Sequence, residues 1–130
     1  MEILVTKKFS FSSAHRLYNL QFSEDKNREV FGECSNFHGH NYVLEVSVTG
    51  EVDGDSGFIM NFRDIKSIVK KSVIEKLDHK NLNELEEFKN KTTTAENILV
   101  LICELLKNEG LNIKRLKLWE TSDSLVELNL

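Results

Sequence analysis

The chain has 130 residues, of which 40% are hydrophobic and 29% charged, and its net charge is −4 at pH 7. This length and composition predict a single globular domain over residues 1–130. The negative charge argues against a nucleic-acid binder, which normally carries a basic face, and the longest apolar run, "ILVLICELL", is too short to cross a bilayer.

The two cysteines lie in dissimilar settings, and the N-terminus shows no signal-peptide pattern. We therefore expect no disulfide framework and a reducing, cytoplasmic location. Cys103 lies within the apolar run and is expected to pack as a small hydrophobic side chain.

Two early segments alternate apolar and polar residues, which predicts β-strands at 2–15 and 41–50. The apolar positions that share a face are Ile3, Val5, Phe9 and Phe11 in the first segment, and Tyr42, Leu44, Val46 and Val48 in the second.

Two later segments have the apolar period of amphipathic helices. The first covers residues 62–77, with Asn61 as its expected N-cap. The second is expected to start at a capping box formed by Thr93 and Glu96 and to end before Gly110.

Strands are predicted again at 113–120 and 124–129, so the element order is ββααββ. Paired strands on either side of paired helices indicate an α+β domain, in which two helices cover one face of an antiparallel sheet.

Three of the four histidines fall on the predicted apolar faces of the first two strands. His15 has the parity of the first strand's apolar residues, and His38 and His40 have the parity of the second strand's. If the two strands pair antiparallel, these imidazoles meet at the rim of one sheet face. Three nitrogen ligands with an open fourth position are the arrangement of catalytic zinc.

Cys34 precedes this pair of histidines in "CSNFHGHNY". As a fourth ligand it would close the site into a structural one, but such sites usually contain a Cys-x-x-Cys element, which is absent here. A free thiol beside an open metal site favours catalysis, because a nearby metal lowers a thiol's pKa and makes it a usable base.

Two carboxylates lie where polar side chains need an explanation. Glu120 shares a face with Leu116 and Leu118, so it needs either a lysine partner or a ligand with a guanidine-like edge. Asp78 next to His79 fits a helix C-terminus followed by a surface histidine, or an acid–base pair.

The ordered motifs "FSSAHRL", "CSNFHGHNY", "GEVDGDSGFIMNF", "LDHKNLN", "TTTAENI" and "WETSDS" together resemble the 6-pyruvoyl-tetrahydropterin synthase family, which includes 6-carboxy-tetrahydropterin synthases of queuosine biosynthesis. The resemblance spans about Lys8 to Leu128. It implies the tunnelling fold, in which ββααββ units form an oligomeric barrel, here a homo-hexamer of two stacked trimers with active sites between subunits.

The resemblance also implies roles for the residues of the predicted site. His15, His38 and His40 would bind Zn²⁺, and Cys34 would be the base that removes a proton.

Residues outside the histidine strands would complete that site. Asp78 and His79 would form a proton relay that reaches the zinc of a neighbouring subunit. Glu120 would anchor the pterin ring, and Thr94 and Glu96 would help to hold it.

The implied substrate is a small molecule, 7,8-dihydroneopterin triphosphate. Arg16, Lys26 and Arg28 lie near the motifs and are candidate phosphate contacts, although solvated surface charge is the favoured role for each.

Two branches of the family fit different parts of the chain. Three residues separate Cys34 from His38, as in the carboxy type, whereas the pyruvoyl type carries two more. The 18 residues from Arg16 to Glu33, together with "HNY" and "DHKNLN", resemble the pyruvoyl type. The spacing favours a carbon–carbon lyase that forms 6-carboxy-5,6,7,8-tetrahydropterin and releases acetaldehyde and triphosphate, and a pyruvoyl-type lyase is the alternative.

Overall fold

The structure, a computed structural model, describes residues 1–130 and contains five strands and four α-helices. The strands are β1 Leu4–His15, β2 His38–Thr49, β3 Lys80–Asn81, β4 Ile113–Thr121 and β5 Ser124–Asn129. The helices are α1 Glu24–Phe31, α2 Phe62–Val69, α3 Glu75–Leu77 and α4 Ala95–Asn108.

All five strands form one sheet in the order β3-β1-β2-β4-β5. Every neighbouring pair is antiparallel except β1 and β3, which are parallel. The β1–β2 ladder runs from Leu4 opposite Thr49 to His15 opposite His38. The predicted α+β class and the antiparallel pairing of the first two strands are therefore confirmed.

The predicted apolar faces of β1 and β2 contribute to a core of 22 buried residues. Phe9, Phe11, Tyr42 and Leu44 lie in it, together with apolar side chains of α2 and α4. The opposite face of the sheet carries exposed side chains such as Lys8 and Asn41. Ile3 departs from the prediction, because it precedes β1 and is 45% exposed.

The helix predicted over 62–77 is confirmed in extent but is not α-helical throughout. The Asn61 side chain caps it by accepting a hydrogen bond from the Arg63 amide at 2.9 Å. A π-helical turn over Lys70–Ile74 joins α2 to α3, and local turns of this kind are common inside α-helices.

The predicted capping box at the start of α4 is wrong by one residue. Thr94, and not Thr93, is the N-cap, and its hydroxyl accepts a hydrogen bond from the Asn97 amide at 3.2 Å. Thr93 is fully buried instead. The helix ends before Gly110, as predicted, and this glycine adopts a φ of +79° that an L-residue rarely tolerates.

Two elements were not predicted. Helix α1 lies between the first two strands, where no element was predicted, although Ser23 followed by Glu24 and Asp25 is a capping pattern that marks its start. Strand β3 has only two residues, too few for any periodic signal, and exists because the chain after α3 pairs with β1.

The longest helix, α4, has 14 residues, and no helix combines the length and apolar character needed to cross a membrane.

Candidate active site

The three histidines of the predicted site converge at the end of the β1–β2 ladder. His15, His38 and His40 each offer one nitrogen, and these atoms lie within 4.8 Å of one another. Their ring centroids are 4.6 to 5.2 Å apart. Strand register produces this arrangement, since His15 and His38 are direct partners and His40 is two residues further on.

Hydrogen bonds to main-chain carbonyls orient two of the three rings. His15 Nδ1 donates to the Thr93 carbonyl at 2.8 Å, and His38 Nδ1 donates to the Asn36 carbonyl at 2.8 Å. Because a carbonyl can only accept, each Nδ1 carries the hydrogen and each Nε2 keeps a free lone pair. Metal-binding histidines are typically held in this way by their second nitrogen.

The nitrogens that face the centre have no partner within the chain. His15 Nε2 and His40 Nε2 are both buried and make no hydrogen bond. Buried polar atoms are rarely left unpaired in native proteins. A metal ion would satisfy both, so the donor set fits one.

Burial keeps these imidazoles neutral. It lowers the pKa of His15 to about 4, against the opposing effect of the Thr93 carbonyl. Burial also lowers the pKa of His40, although the Glu120 carboxylate works in the opposite direction. Since the neutral imidazole is the form that binds metals, the site is ready for an ion at neutral pH.

Glu120 lies at the edge of this site. Its Oε1 atom is 3.8 Å from His40 Nε2, and its side chain is 31% exposed. No lysine or arginine lies within ion-pair distance of it, so the predicted alternative of a lysine partner is wrong. One carboxylate edge is therefore open to a ligand.

Cys34 lies four residues before His38 and is not one of the clustered donors. It belongs to a 3₁₀ turn over Gly32–Ser35, and its carbonyl accepts a hydrogen bond from the Leu17 amide at 2.7 Å. This bond joins the chain just after His15 to the chain just before His38, so the turn lies next to the site. The thiol is exposed, and the cluster provides three donors, not the four of a closed structural site.

Asp78 and His79 form a pair at a different edge. His79 Nδ1 is 2.9 Å from Asp78 Oδ2, and the Ser12 amide donates to the same carboxylate at 2.8 Å. These contacts, the Ser12 amide first, lower the pKa of Asp78. The pair precedes β3, so β1 separates it from His38 and His40, and the His79 side chain is 83% exposed.

Thr94 and Glu96 lie at the start of α4, where the Thr94 hydroxyl serves as the N-cap and Glu96 is exposed. The direct link from this segment to the histidines runs through the neighbouring Thr93, whose carbonyl holds His15.

The candidate phosphate contacts differ in their surroundings. The Arg16 guanidinium stacks on the Tyr18 ring at 3.9 Å and lies 5.4 Å from the Phe37 ring, so it is held near the site. Lys26 lies over the Phe22 ring at 4.2 Å. Arg28 pairs with Asp25 at 2.8 Å on the exposed surface, as expected for solvated charge.

Sequence reasoning treated Tyr42 only as a core residue. Its ring is 5.5 Å from the His40 ring and 6.4 Å from the His15 ring. The signal that would have found it is parity, since Tyr42 continues the alternation of His38 and His40.

The comparisons with known proteins all point to one family. The family described as 6-pyruvoyl tetrahydropterin synthase matches residues 4–129. A 6-pyruvoyl tetrahydrobiopterin synthase of Dictyostelium discoideum is 47% identical over 105 residues, which cover 80% of this chain and 78% of that protein. A 6-carboxy-5,6,7,8-tetrahydropterin synthase of Haemophilus influenzae is 34% identical, with 95% of this chain and 96% of that protein covered.

A solved structure agrees with both matches. The 6-pyruvoyl tetrahydropterin synthase of Caenorhabditis elegans superimposes with a TM-score of 0.92 at 31% identity, covering 100% of this chain and 96% of that one. The chain therefore belongs to the 6-pyruvoyl tetrahydropterin synthase family, whose members are lyases that act on a pterin triphosphate.

Proposed function

We propose that the chain is a zinc-dependent lyase that converts 7,8-dihydroneopterin triphosphate and water to 6-carboxy-5,6,7,8-tetrahydropterin, with release of acetaldehyde and triphosphate, as a step of queuosine biosynthesis. The observation that carries the choice of product is the three-residue spacing between Cys34 and His38. The short segment leaves Cys34 in a 3₁₀ turn that leads almost directly into β2. Because a base displaced by even ~1 Å can redirect or slow a proton transfer, this spacing bears on which proton is removed.

His15, His38 and His40 are the proposed zinc ligands, since their free nitrogens converge and two of them lack any partner. When bound, zinc supplies Lewis-acid polarisation of the substrate's side-chain oxygens, which acidifies the neighbouring C–H bonds. Main-chain carbonyls already hold the His15 and His38 rings, so these two imidazoles do not have to reorient when the ion binds.

Cys34 is the proposed general base. Its thiol is exposed, belongs to the turn just before His38, and is not one of the clustered donors. The bond from the Leu17 amide to the Cys34 carbonyl holds the turn in place, so the thiol is presented at a defined position. A thiolate there can take a proton from the substrate side chain.

Asp78 and His79 are the proposed second proton-transfer pair. The Asp78 carboxylate accepts from both the Ser12 amide and the His79 imidazole, and these bonds keep it ionised and keep the ring oriented. Since β1 lies between the pair and His38 and His40 of its own chain, the pair is proposed to serve the site of a neighbouring subunit.

Glu120 is the proposed anchor of the pterin ring. A carboxylate with one free edge can grip the 2-amino and N3 hydrogens through two parallel hydrogen bonds. Because Glu120 Oε1 is 3.8 Å from His40 Nε2, a ring held by this carboxylate is proposed to lie next to the zinc, with its reacting side chain toward the histidines. Thr94 and Glu96, at the start of α4, are retained as proposed pterin contacts.

Assembly into a homo-hexamer of two trimers is part of the proposal. The sheet ends in β3 on one side and in β5 on the other. Strand β5 is a six-residue edge strand with unpaired main-chain groups on its outer side, and such an edge invites pairing with another chain.

A second candidate function is 6-pyruvoyl-tetrahydropterin synthesis from the same substrate. The observation that favours it is overall similarity, because the relatives named 6-pyruvoyl synthases reach 47% identity and those named 6-carboxy synthases reach 34%. Both reactions begin with proton removal and loss of triphosphate, so phosphate release does not distinguish them.

Product analysis separates the two. Zinc-loaded protein is incubated with 7,8-dihydroneopterin triphosphate, and acetaldehyde is trapped while the pterins are identified by mass spectrometry. The proposal expects acetaldehyde and 6-carboxy-tetrahydropterin in equal amounts. Formation of 6-pyruvoyl-tetrahydropterin without acetaldehyde would establish the second candidate. If the substrate loses neither its triphosphate nor its side chain, both candidate functions are wrong.

A further inference from the structure

The Asn83 side chain binds the main chain of the residue that follows His15. Its Oδ1 accepts a hydrogen bond from the Arg16 amide at 2.8 Å, and its Nδ2 donates to the Arg16 carbonyl at 2.9 Å. A carboxamide has the acceptor and the donor of a peptide group, so this pair of bonds, the Asn83 clamp, resembles one step of a β-ladder. No main-chain group of another residue bonds to the main chain of Arg16.

The Asn83 clamp lies where the strand of His15 ends. The ladder between β1 and β2 stops at the pair His15–His38, and the pairing of β1 with β3 stops at Ala14. Arg16 lies past both ladders, so neither neighbouring strand fixes the position of the residue next to His15. Asn83 is half-buried in the 3₁₀ turn that follows β3, and its side chain continues the contact between β3 and β1.

The side chain of Thr93 connects the Asn83 clamp to the imidazole itself. The Thr93 hydroxyl donates to the same Arg16 carbonyl at 3.2 Å, and the Thr93 carbonyl accepts the hydrogen of His15 Nδ1 at 2.8 Å. Thr93 and His15 are both buried, with exposed fractions of 0% and 1%. The residue that orients the His15 ring is therefore bonded to the same carbonyl that Asn83 holds.

We propose that Asn83 is a positioning residue of the three-histidine site: by holding the Arg16 main chain, it fixes the direction from which His15 Nε2 binds the metal. Asn83 is not itself one of the clustered donors. His15 Nε2 is buried and has no partner in the chain, and the orientation of a metal ligand depends on the hydrogen bonds behind it. The inference rests on the proposed metal and is the same for either pterin product.

The test measures metal binding by the folded protein and does not depend on turnover. Asn83→Ala removes both bonds to Arg16, so its affinity for zinc, measured by competition with a chromophoric chelator, should fall about tenfold. The visible absorption of the Co²⁺-loaded variant should also differ from that of wild type, because this spectrum reports the geometry of the ligands. A loss of fold stability alone would change neither measurement.

A second variant and a matched control complete the comparison. Thr93→Val removes the other bond to the Arg16 carbonyl and nearly keeps the shape of the side chain, so zinc affinity should fall about threefold. Asn112→Ala removes a bond of 2.9 Å between an exposed asparagine and the Thr49 carbonyl, at the far end of β2. Its zinc affinity should stay within about twofold of wild type.

Wild-type zinc affinity and an unchanged Co²⁺ spectrum in Asn83→Ala would overturn the inference, even if this variant unfolds at a lower urea concentration. An equal loss of affinity in Asn112→Ala would overturn it too. If Asn83→Ala does not fold, Thr93→Val decides, and unchanged zinc affinity in that variant would contradict the role of the clamp. Wild-type protein that binds neither zinc nor Co²⁺ would overturn the metal assignment itself, and the role of Asn83 with it.

Discussion

His15 and His38 are direct partners in the β1–β2 ladder, and their ring centroids are 4.6 Å apart. Main-chain hydrogen bonds set this pairing, and the core beneath it contains 22 buried residues. The sheet and its core therefore hold the donors together before any ion binds. It follows that loss of the metal should leave the fold intact, which experiment can test.

Changing His40→Ala should remove the metal and leave the fold intact. The variant loses one of three donors, and the remaining two should hold less than about a tenth of an equivalent of zinc per chain after gel filtration. Metal content by mass spectrometry and the far-ultraviolet circular dichroism spectrum are the measurements. His79→Ala is the matched control and should retain about one zinc, because His79 is outside the donor cluster. Full metal content in His40→Ala would contradict the assignment.

The metal-free protein should lose stability as the pH falls from about 6.5 toward 4. Burial lowers the pKa of His15 from 6.5 to about 4, so within this window the unfolded chain binds the proton and the folded chain does not. The stabilisation that comes from this difference in proton binding is complete above pH 6.5. It is lost as the pH falls toward 4, which lowers the free energy of unfolding by at most about 3 kcal/mol. The lowered pKa of His40 acts in the same direction.

Urea unfolding of chelator-treated protein at several pH values measures this dependence. The His15→Gln variant lacks the buried imidazole, so its unfolding free energy should vary less between pH 6.5 and 4.5. An equal slope for the variant and the wild type would show that His15 is not the titrating group.

Cys34→Ala should abolish product formation and leave zinc content and pterin affinity within about twofold of wild type. The thiol is exposed and lies outside the donor cluster, so its loss removes a base and not a ligand. Cys103→Ala is the control, since that thiol is buried in α4 and its loss should lower stability without abolishing turnover. Loss of zinc from Cys34→Ala would reassign the cysteine as a ligand.

Two inactive variants should restore activity when they assemble together. If Asp78 and His79 serve a neighbouring subunit, mixed particles of Cys34→Ala and His79→Ala contain some sites with both groups intact. Chains co-expressed with different tags and purified in tandem should recover a measurable fraction of wild-type turnover. Tandem-purified particles without activity would place both groups in the site of one chain, and a monomer in light scattering would exclude a shared site.

Asn27→Ala should lower the free energy of unfolding by about 2–3 kcal/mol. The side chain is fully buried, accepts from the Asn19 amide at 2.7 Å and donates to the carbonyls of Asn19 and Ser23 at 3.0 Å each. Its loss leaves the Asn19 amide without a partner and removes one of the two hydrogen bonds that each carbonyl accepts. Urea unfolding measures the change, and Asn129→Ala, at an exposed position on β5, should stay within about 0.5 kcal/mol of wild type.

Alternation along β1 and β2 was sufficient to predict that three histidines converge. A strand's side chains alternate strictly, so parity alone places His15, His38 and His40 on one face once the two strands pair antiparallel. The helix over 62–77 and the last two strands were predictable for a similar reason, because their apolar periods are long enough to be distinct. Cys34 was predicted to lie near the histidines because it is only four residues from His38, and its role as base stays a prediction.

Contacts between residues far apart in sequence decided the rest. The Thr93 carbonyl orients His15 across 78 positions, and β1 binds the chain after α3 through the Ser12 main chain. Neither contact has a periodic or local signal, because each depends on how helices and sheet pack in three dimensions. The same packing brings the Tyr42 ring to 6.4 Å from the His15 ring. Sequence alone therefore determined which side chains share a face, and tertiary packing determined which of their atoms are left without a partner and point at the site.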